Sequence, residues 1–146
     1  MLGRLKLYLK KPGRVLHYQS NVKEARLVIK DRVAHFAPVC GVTTKRIAIR
    51  NQKRSWGSCS SLGNLNFNYK LLLLPRCMID YVVVHELCHL KFLNHSQDFW
   101  LEVGKYYPNY PAVVNEIRHL ERHSRLSPIL LNEYTKRHSC QYCSGE

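Results

Sequence analysis

The stretch HELCHLKFLNH, residues 85–95, decides how the chain is interpreted. It places His85 and His89 four residues apart, puts Glu86 beside the first histidine and adds His95 six residues after the second. Residues four apart on an α-helix differ by about 40° in direction and lie about 6 Å apart along the axis, so both imidazoles can reach one ion. Zinc suits neutral imidazole, and Glu86 can hold and deprotonate a water on that ion. The pattern predicts a zinc site with a general base.

The helix that carries this motif is predicted to begin at Pro75 and to cover about residues 76–92. Apolar side chains surround nearly its whole circumference, as expected of a helix buried in a domain. His85, Glu86 and His89 interrupt that apolar surface, and polar groups buried without partners are destabilising. A metal ion would supply the partner. The alternative is a pair of core histidines that bind backbone or carboxylate groups.

A catalytic zinc usually has three protein ligands, and His95 is the first candidate for the third. In a continuous helix His95 would lie about 9 Å beyond His89 and roughly 240° around the axis, too far to share its ion. The helix is therefore predicted to end between these two histidines. Asn94 tolerates a left-handed backbone, and Ser96 can cap a new helix.

The flanking segments predict an α+β domain with a small sheet. A helix is predicted over residues 20–37, capped by Asn21 with Glu24 and ended by residues 38–41. Its core face is formed by residues at helical spacing, Val22, Ala25, Ile29, Val33 and Phe36.

The sheet is predicted from an extended segment and an alternating one. Residues 45–56 read as extended, and residues 64–69 alternate apolar and polar side chains after a turn-like SSLGN. We therefore expect a hairpin around Gly63. Two further helices are predicted over residues 96–106 and 111–124.

Length and composition predict one domain, residues 1–146, with a core over about 20–124, a basic segment at 1–19 and a tail at 125–146. Neither the N-terminus nor the LLLL run offers an apolar stretch long enough for a signal peptide or a membrane span. We expect a soluble, cytoplasmic protein. Four cysteines are expected to be reduced and packed in the core, namely Cys40, Cys59, Cys77 and Cys88.

Positive charge is concentrated in the first third of the chain. The formal net charge is +13, and residues 1–54 hold 14 Lys and Arg against two acidic residues. Lys23, Arg26 and Lys30 form a stripe on the predicted first helix. Such a stripe is first an ordinary solvated face and second a contact for phosphate, so nucleic acid is a candidate partner with salt-sensitive binding.

Two other groups of potential ligands are weaker. HLERH places His119 and His123 four apart with Glu116 one turn earlier, but the core face of that helix directs the histidines to its exposed side. The C-terminal HSCQYC holds half of a zinc-ribbon pattern and is interpreted as a tail. Its potential ligands are His138, Cys140 and Cys143.

The sequence resembles the YgjP-like zinc metallopeptidases, relatives of the SprT-like proteases. The matching stretches are WGSCSSLGNLNFNYKLLLLP at 56–75, YVVVHELCHL at 81–90 and NHSQDFW at 94–100. With the weaker helix at 21–37, the resemblance covers most of residues 20–124. Two departures are a short region before the first helix and Ser55 where Arg commonly precedes the tryptophan.

The resemblance implies that His85, His89 and His95 bind zinc and that Glu86 is the general base. It also implies a minimal zincin-like fold, in which a small twisted sheet covers the active-site helix and its edge strand aligns an extended peptide. Residues 56–59 match the family's hairpin and are interpreted as structural support near the cleft.

A zinc-dependent metallopeptidase acting on a peptide or protein is the leading functional hypothesis. Tyr106, Tyr107 or an arginine would stabilise the oxyanion. One alternative is a metal-dependent nucleotide or phosphoanhydride hydrolase, and another is a nucleic-acid-associated SprT-like protease. A purely structural zinc domain is disfavoured, because Glu86 stands beside the ligands and three histidines leave one position open.

Overall fold

The longest helix, α1, covers Tyr18–Cys40. It belongs to a computed structural model that describes residues 17–124 and Ser127, with the backbone alone at 123 and 124. One face of α1 is buried, and much of it was predicted from the spacing. The buried residues are Asn21, Ala25, Val28, Ile29, Arg32, Val33 and Cys40.

The ends of α1 differ from the prediction. The predicted cap of Asn21 and Glu24 is wrong, because the helix begins at Tyr18 and Asn21 lies buried inside it, where its side-chain amide donates to the His17 carbonyl at 2.7 Å. At the other end Pro38 lies within the last turn. Gly41 then ends the helix at φ 65°, a left-handed conformation that glycine adopts without strain.

Three strands form a mixed sheet in the order β1-β3-β2. These strands are β1 (Arg46–Arg50), β2 (Gly57–Cys59) and β3 (Asn64–Asn68). The expected hairpin around Gly63 joins β2 to β3, with Gly63 at φ 82°. Only five residues of the predicted extended segment form a strand, and that strand pairs parallel with β3.

Asn68 ties the loop before β2 to the sheet. Its side-chain amide donates to the carbonyls of Gln52 at 2.8 Å and Ser55 at 2.9 Å, and its backbone N–H donates to Trp56 at 2.8 Å. The alternating pattern had placed Asn68 on the polar face, yet it is fully buried. These bonds fix residues 52–56, which lead directly into the cleft described below.

A 3-10 helix and three α-helices complete the described part of the chain. A 3-10 helix at Tyr69–Leu73 leads into α2 (Arg76–Cys88), and α3 (Gln97–Tyr106) and α4 (Tyr110–Ser124) follow. The arrangement confirms the predicted α+β class. Helix α2 is buried around most of its circumference as expected, but it ends four residues earlier than predicted.

One hydrophobic core joins the sheet and all four α-helices. Cys40, Cys77 and Cys88 are buried in it and Cys59 is half-buried, and all four are free thiols. No helix within the described residues is long and apolar enough to cross a membrane. The predicted division into a basic segment, a core and a tail stays a prediction.

A buried ion pair fixes α1 against α2. The Arg32 guanidinium donates from Nε to Asp80 Oδ1 at 2.6 Å and from Nη2 to Oδ2 at 3.1 Å. Arg32 is buried, and Asp80 is the nearer of the two carboxylates beside its guanidinium. Because Asp80 lies on the turn of α2 before His85, the pair also sets the position of the helix that carries the motif.

Asp80→Ala should lower the free energy of unfolding by about 3 kcal/mol, because it leaves a buried guanidinium without its carboxylate. Urea denaturation provides the measurement. Asp31→Ala is the matched control, since Asp31 lies 3.9 Å from the same guanidinium with half of its side chain exposed, and its loss should stay within about 0.5 kcal/mol. Equal losses in the two variants would contradict the assignment.

Candidate metal centre

Three histidine nitrogens meet at one point at the end of α2. The Nε2 atoms of His85 and His89 are 3.2 Å apart, and that of His95 lies 3.1 Å from each. Tetrahedral ligands at the usual zinc–nitrogen distance lie about 3.3 Å from one another. Among the side chains that the structure describes, this is the single cluster of three or more potential metal ligands.

The hydrogen bond of His89 shows what the cluster is built to hold. Its Nδ1 lies 2.8 Å from the Phe92 carbonyl, which can only accept, so Nδ1 carries the proton and Nε2 presents a lone pair. That lone pair faces two other imidazole nitrogens. A cation satisfies all three nitrogens at once, and the donor set fits zinc.

Burial keeps the imidazoles of His85 and His89 in the neutral form that binds metal. Burial, and then the neighbouring His89 and His95, lower the pKa of His85 to about 3. Burial also lowers the pKa of His89, against the effect of its bond to the Phe92 carbonyl. Because a protonated imidazole cannot bind a metal, the site is prepared for an ion at neutral pH.

The third histidine reaches the cluster because α2 ends at Cys88 and α3 begins only at Gln97. The helix ends between the first two histidines and the third, as the sequence predicted. Ser96 caps α3 by accepting from the Phe99 N–H, which was also predicted. The left-handed turn at Asn94 stays a prediction.

Phe99 supports all three imidazoles from below. Its ring is fully buried and stacks on His89 with centroids 4.4 Å apart. It meets His85 and His95 edge-on, each at 4.9 Å. Trp100 stacks on the outer side of His95 at 5.8 Å. The sequence pattern did not indicate this role for Phe99, although Phe99 lies one turn after the Ser96 cap.

An ion-pair network holds the loop between His89 and His95 in place. Lys91, in that loop, donates to Glu102 Oε1 of α3 at 2.5 Å, and Lys105 donates to Oε2 at 2.8 Å. The Tyr106 hydroxyl donates to the same carboxylate at 2.8 Å. Glu102 is buried, and the hydrogen bonds to its carboxylate fix the loop to α3.

Glu86 lies on α2 against the backbone of β2. A Cβ placed on Gly57 would come 2.9 Å from Glu86 Cγ, closer than side chains allow, so the missing side chain at position 57 makes room for the glutamate. Burial raises the pKa of Glu86 to about 8, and its Oε2 has no hydrogen-bond partner among the described residues. A cation held by the histidines would favour the ionised form.

His85, Glu86 and His95 line a cleft of about 520 Å³. The loop before β2, α2, α3 and α4 form its walls. Its apolar lining is Trp56, Val82, Trp100, Val114 and Ile117, and its charged lining besides Glu86 is Arg54, Arg118 and Glu121. An extended chain with apolar side chains fits this chemistry.

Several residues singled out in the sequence lie outside the cleft. The Tyr106 hydroxyl binds Glu102, and the Tyr107 hydroxyl donates to the Cys77 carbonyl at 2.8 Å, so neither expected oxyanion donor is directed to the site. Arginine remains as the expected donor class. His119 is exposed, as predicted, and the side chain of His123 lies outside the described residues.

The basic stripe and the cysteine-containing tail are not part of the cleft either. Lys23, Arg26 and Lys30 are exposed on α1, and none of them lines it. The tail residues of the half zinc-ribbon pattern lie outside the described part of the chain. Their predicted roles stay predictions.

Glu102→Gln should lower the free energy of unfolding by about 1–2 kcal/mol at pH 7. Hydrogen bonds from Lys105 and Lys91 lower the pKa of Glu102 from 4.5 to about 2. The folded-state pKa is below the unfolded one, so the stabilisation is complete above about pH 5 and is lost as the pH falls towards 2. Urea unfolding at pH 7 and pH 3 tests this, and a difference independent of pH would contradict it. Lys105→Ala is the control with a small loss, because Lys105 is exposed.

Comparisons with known proteins agree with this geometry. The family model described as YgjP-like, metallopeptidase domain, matches residues 10–120. The structure resembles that of the metallopeptidase zymogen of Pyrococcus abyssi abylysin, with 30% identity, 64% of this chain and 93% of that chain covered, and a TM-score of 0.55.

The metallopeptidase zymogen of Methanocaldococcus jannaschii jannalysin has the same fold. Its identity is 23%, the match covers 62% of this chain and 94% of that chain, and the TM-score is 0.56. A search of curated proteins gives no match. Because the family model spans well over half of the 146 residues, the chain belongs to the YgjP-like metallopeptidase domain family.

Proposed function

We propose that the protein is a zinc-dependent peptidase in which His85, His89 and His95 bind the ion and Glu86 is the general base. The observation that carries the proposal is the meeting of three Nε2 atoms within 3.2 Å of one another, where His85, His95 and Glu86 line one cleft. The family supports peptide or protein as the substrate.

A bound zinc ion would polarise the carbonyl of the scissile bond and lower the pKa of a bound water to about 7. Glu86 then accepts a proton from the attacking water and delivers it to the leaving amine. Its position supports this role, because Gly57 lets the carboxylate lie between β2 and the cleft. The low polarity around Glu86 strengthens its interaction with the developing charge.

Strand β2 supplies the surface for an extended substrate. It is an edge strand within the described part of the chain, and the cleft-lining Gly57 is its first residue. A peptide paired with this edge would pass the histidines, with its side chains against Trp56 and Val114. Arg54 and Arg118 are the cations of the cleft lining, and they supply the expected oxyanion donor class.

A phosphate-containing substrate finds less support. The two arginines of the cleft are opposed by Glu86 and Glu121, so its charge is mixed. The basic stripe of Lys23, Arg26 and Lys30 lies outside it. Hydrolysis of nucleotides and binding of nucleic acid therefore remain alternatives without a contact in the site.

Glu86→Gln should reduce kcat by about 10²–10⁴, the usual contribution of a general base, while zinc stays bound at one ion per chain. His95→Ala should lose both activity and zinc, because only two of the three proposed ligands remain. Turnover of unstructured proteins is measured beside a panel of nucleotides, and zinc by mass spectrometry. Wild-type protein without stoichiometric zinc, or full activity in folded Glu86→Gln, would overturn the proposal.

Gly57→Ala should lower kcat by about 10²-fold and leave zinc binding intact. Its methyl group displaces the Glu86 side chain, and a shift of about 1 Å in a catalytic group costs that much. Ser58→Ala is the neighbouring control, since the Ser58 hydroxyl accepts from Asn66 instead of facing Glu86. An equal kcat in the two variants would contradict the role of Glu86 in catalysis.

A further inference from the structure

Tyr81 stands one helical turn before His85 on the same face of α2. Its hydroxyl oxygen lies 3.0 Å from His85 Nδ1, the ring nitrogen that does not face the other histidines. Tyr81 is only 6% exposed, and its ring meets that of Tyr107 at 6.0 Å. The hydroxyl is therefore held against His85 at the wall of the cleft.

The geometry determines which tautomer of His85 the cluster needs. When Nε2 gives its lone pair to a metal, a neutral imidazole carries its proton on Nδ1. That N–H requires an acceptor, and the phenolic oxygen of Tyr81 is at the right distance to be one. The Phe92 carbonyl has the same task at His89.

We propose that Tyr81 is a positioning residue for the metal centre, which accepts a hydrogen bond from His85 Nδ1–H and so keeps Nε2 available as a ligand. The inference rests on the proposed function, because it takes His85 to be a ligand. A phenylalanine at position 81 would preserve the ring packing and leave the buried N–H without its acceptor. Partners of this kind typically contribute 10–100-fold to metal affinity.

Tyr81 differs from the Phe92 carbonyl in one respect. A carbonyl only accepts, whereas a hydroxyl both donates and accepts. Tyr81 can thus satisfy His85 in either tautomer, with the direction of the bond reversing when Nε2 binds the ion.

Tyr81→Phe should weaken zinc binding by about 10–100-fold, measured on folded protein by competition with a chromophoric chelator. Tyr107→Phe is the matched control, because it removes a neighbouring hydroxyl that donates to the Cys77 carbonyl. Its zinc affinity should equal that of the wild type. A purely structural role of Tyr81 would lower the Tm of metal-free protein and leave the Kd for zinc unchanged.

Nitrogen NMR of zinc-loaded wild-type protein provides a second test that does not depend on the variant. His85 should show a protonated Nδ1 and a metal-bound Nε2, and ligation through Nδ1 would overturn the inference. If wild-type protein binds no zinc, the proposed function itself fails. If the wild type binds zinc and Tyr81→Phe binds it equally well, the role of Tyr81 alone is refuted.

Discussion

The close approach of three imidazole nitrogens is the constraint on which the site depends. Imidazole nitrogens this close need a proton or a cation between them, and the surrounding structure holds the three in place. The Arg32–Asp80 pair positions α2, the ring of Phe99 supports the imidazoles, and the Glu102 carboxylate fixes the connecting loop. Arg32 acts from α1, whereas Phe99 and Glu102 both act from α3, and together they leave the cluster little freedom.

The same arrangement explains how the chain turns between His89 and His95 without a glycine. Phe92 contributes a backbone carbonyl to His89, and any residue type could supply that group. Lys91 provides the anchor to α3 in place of a tight turn. The direction of the loop is therefore set by hydrogen bonds and charge. Its histidine spacing equals that of the HExxHxxGxxH zinc proteases, whose pattern has a glycine at the position of Phe92.

Local patterns predicted much of the fold and of the candidate site. Histidines four apart share a helix face whatever the fold, and a continuous helix excludes His95, so the break after His89 could be derived from geometry. Ser96 carries its own capping signal. The burial of Asn68 and the parallel pairing of β1 could not be derived in this way, because they depend on partners distant in sequence. The i, i+4 spacing of Tyr81 and His85 is visible in the sequence, but it does not distinguish a hydrogen bond from ordinary packing.

Phe99 has a consequence that goes beyond support. Because one ring touches all three imidazoles, any change of side-chain volume at position 99 alters the positions of the three imidazoles together. A well-filled position holds them in the spacing that suits a small tetrahedral ion, and a loosely filled one would admit ions that prefer other geometries. Discrimination between metals would then be encoded in a hydrophobic side chain that never touches the ion.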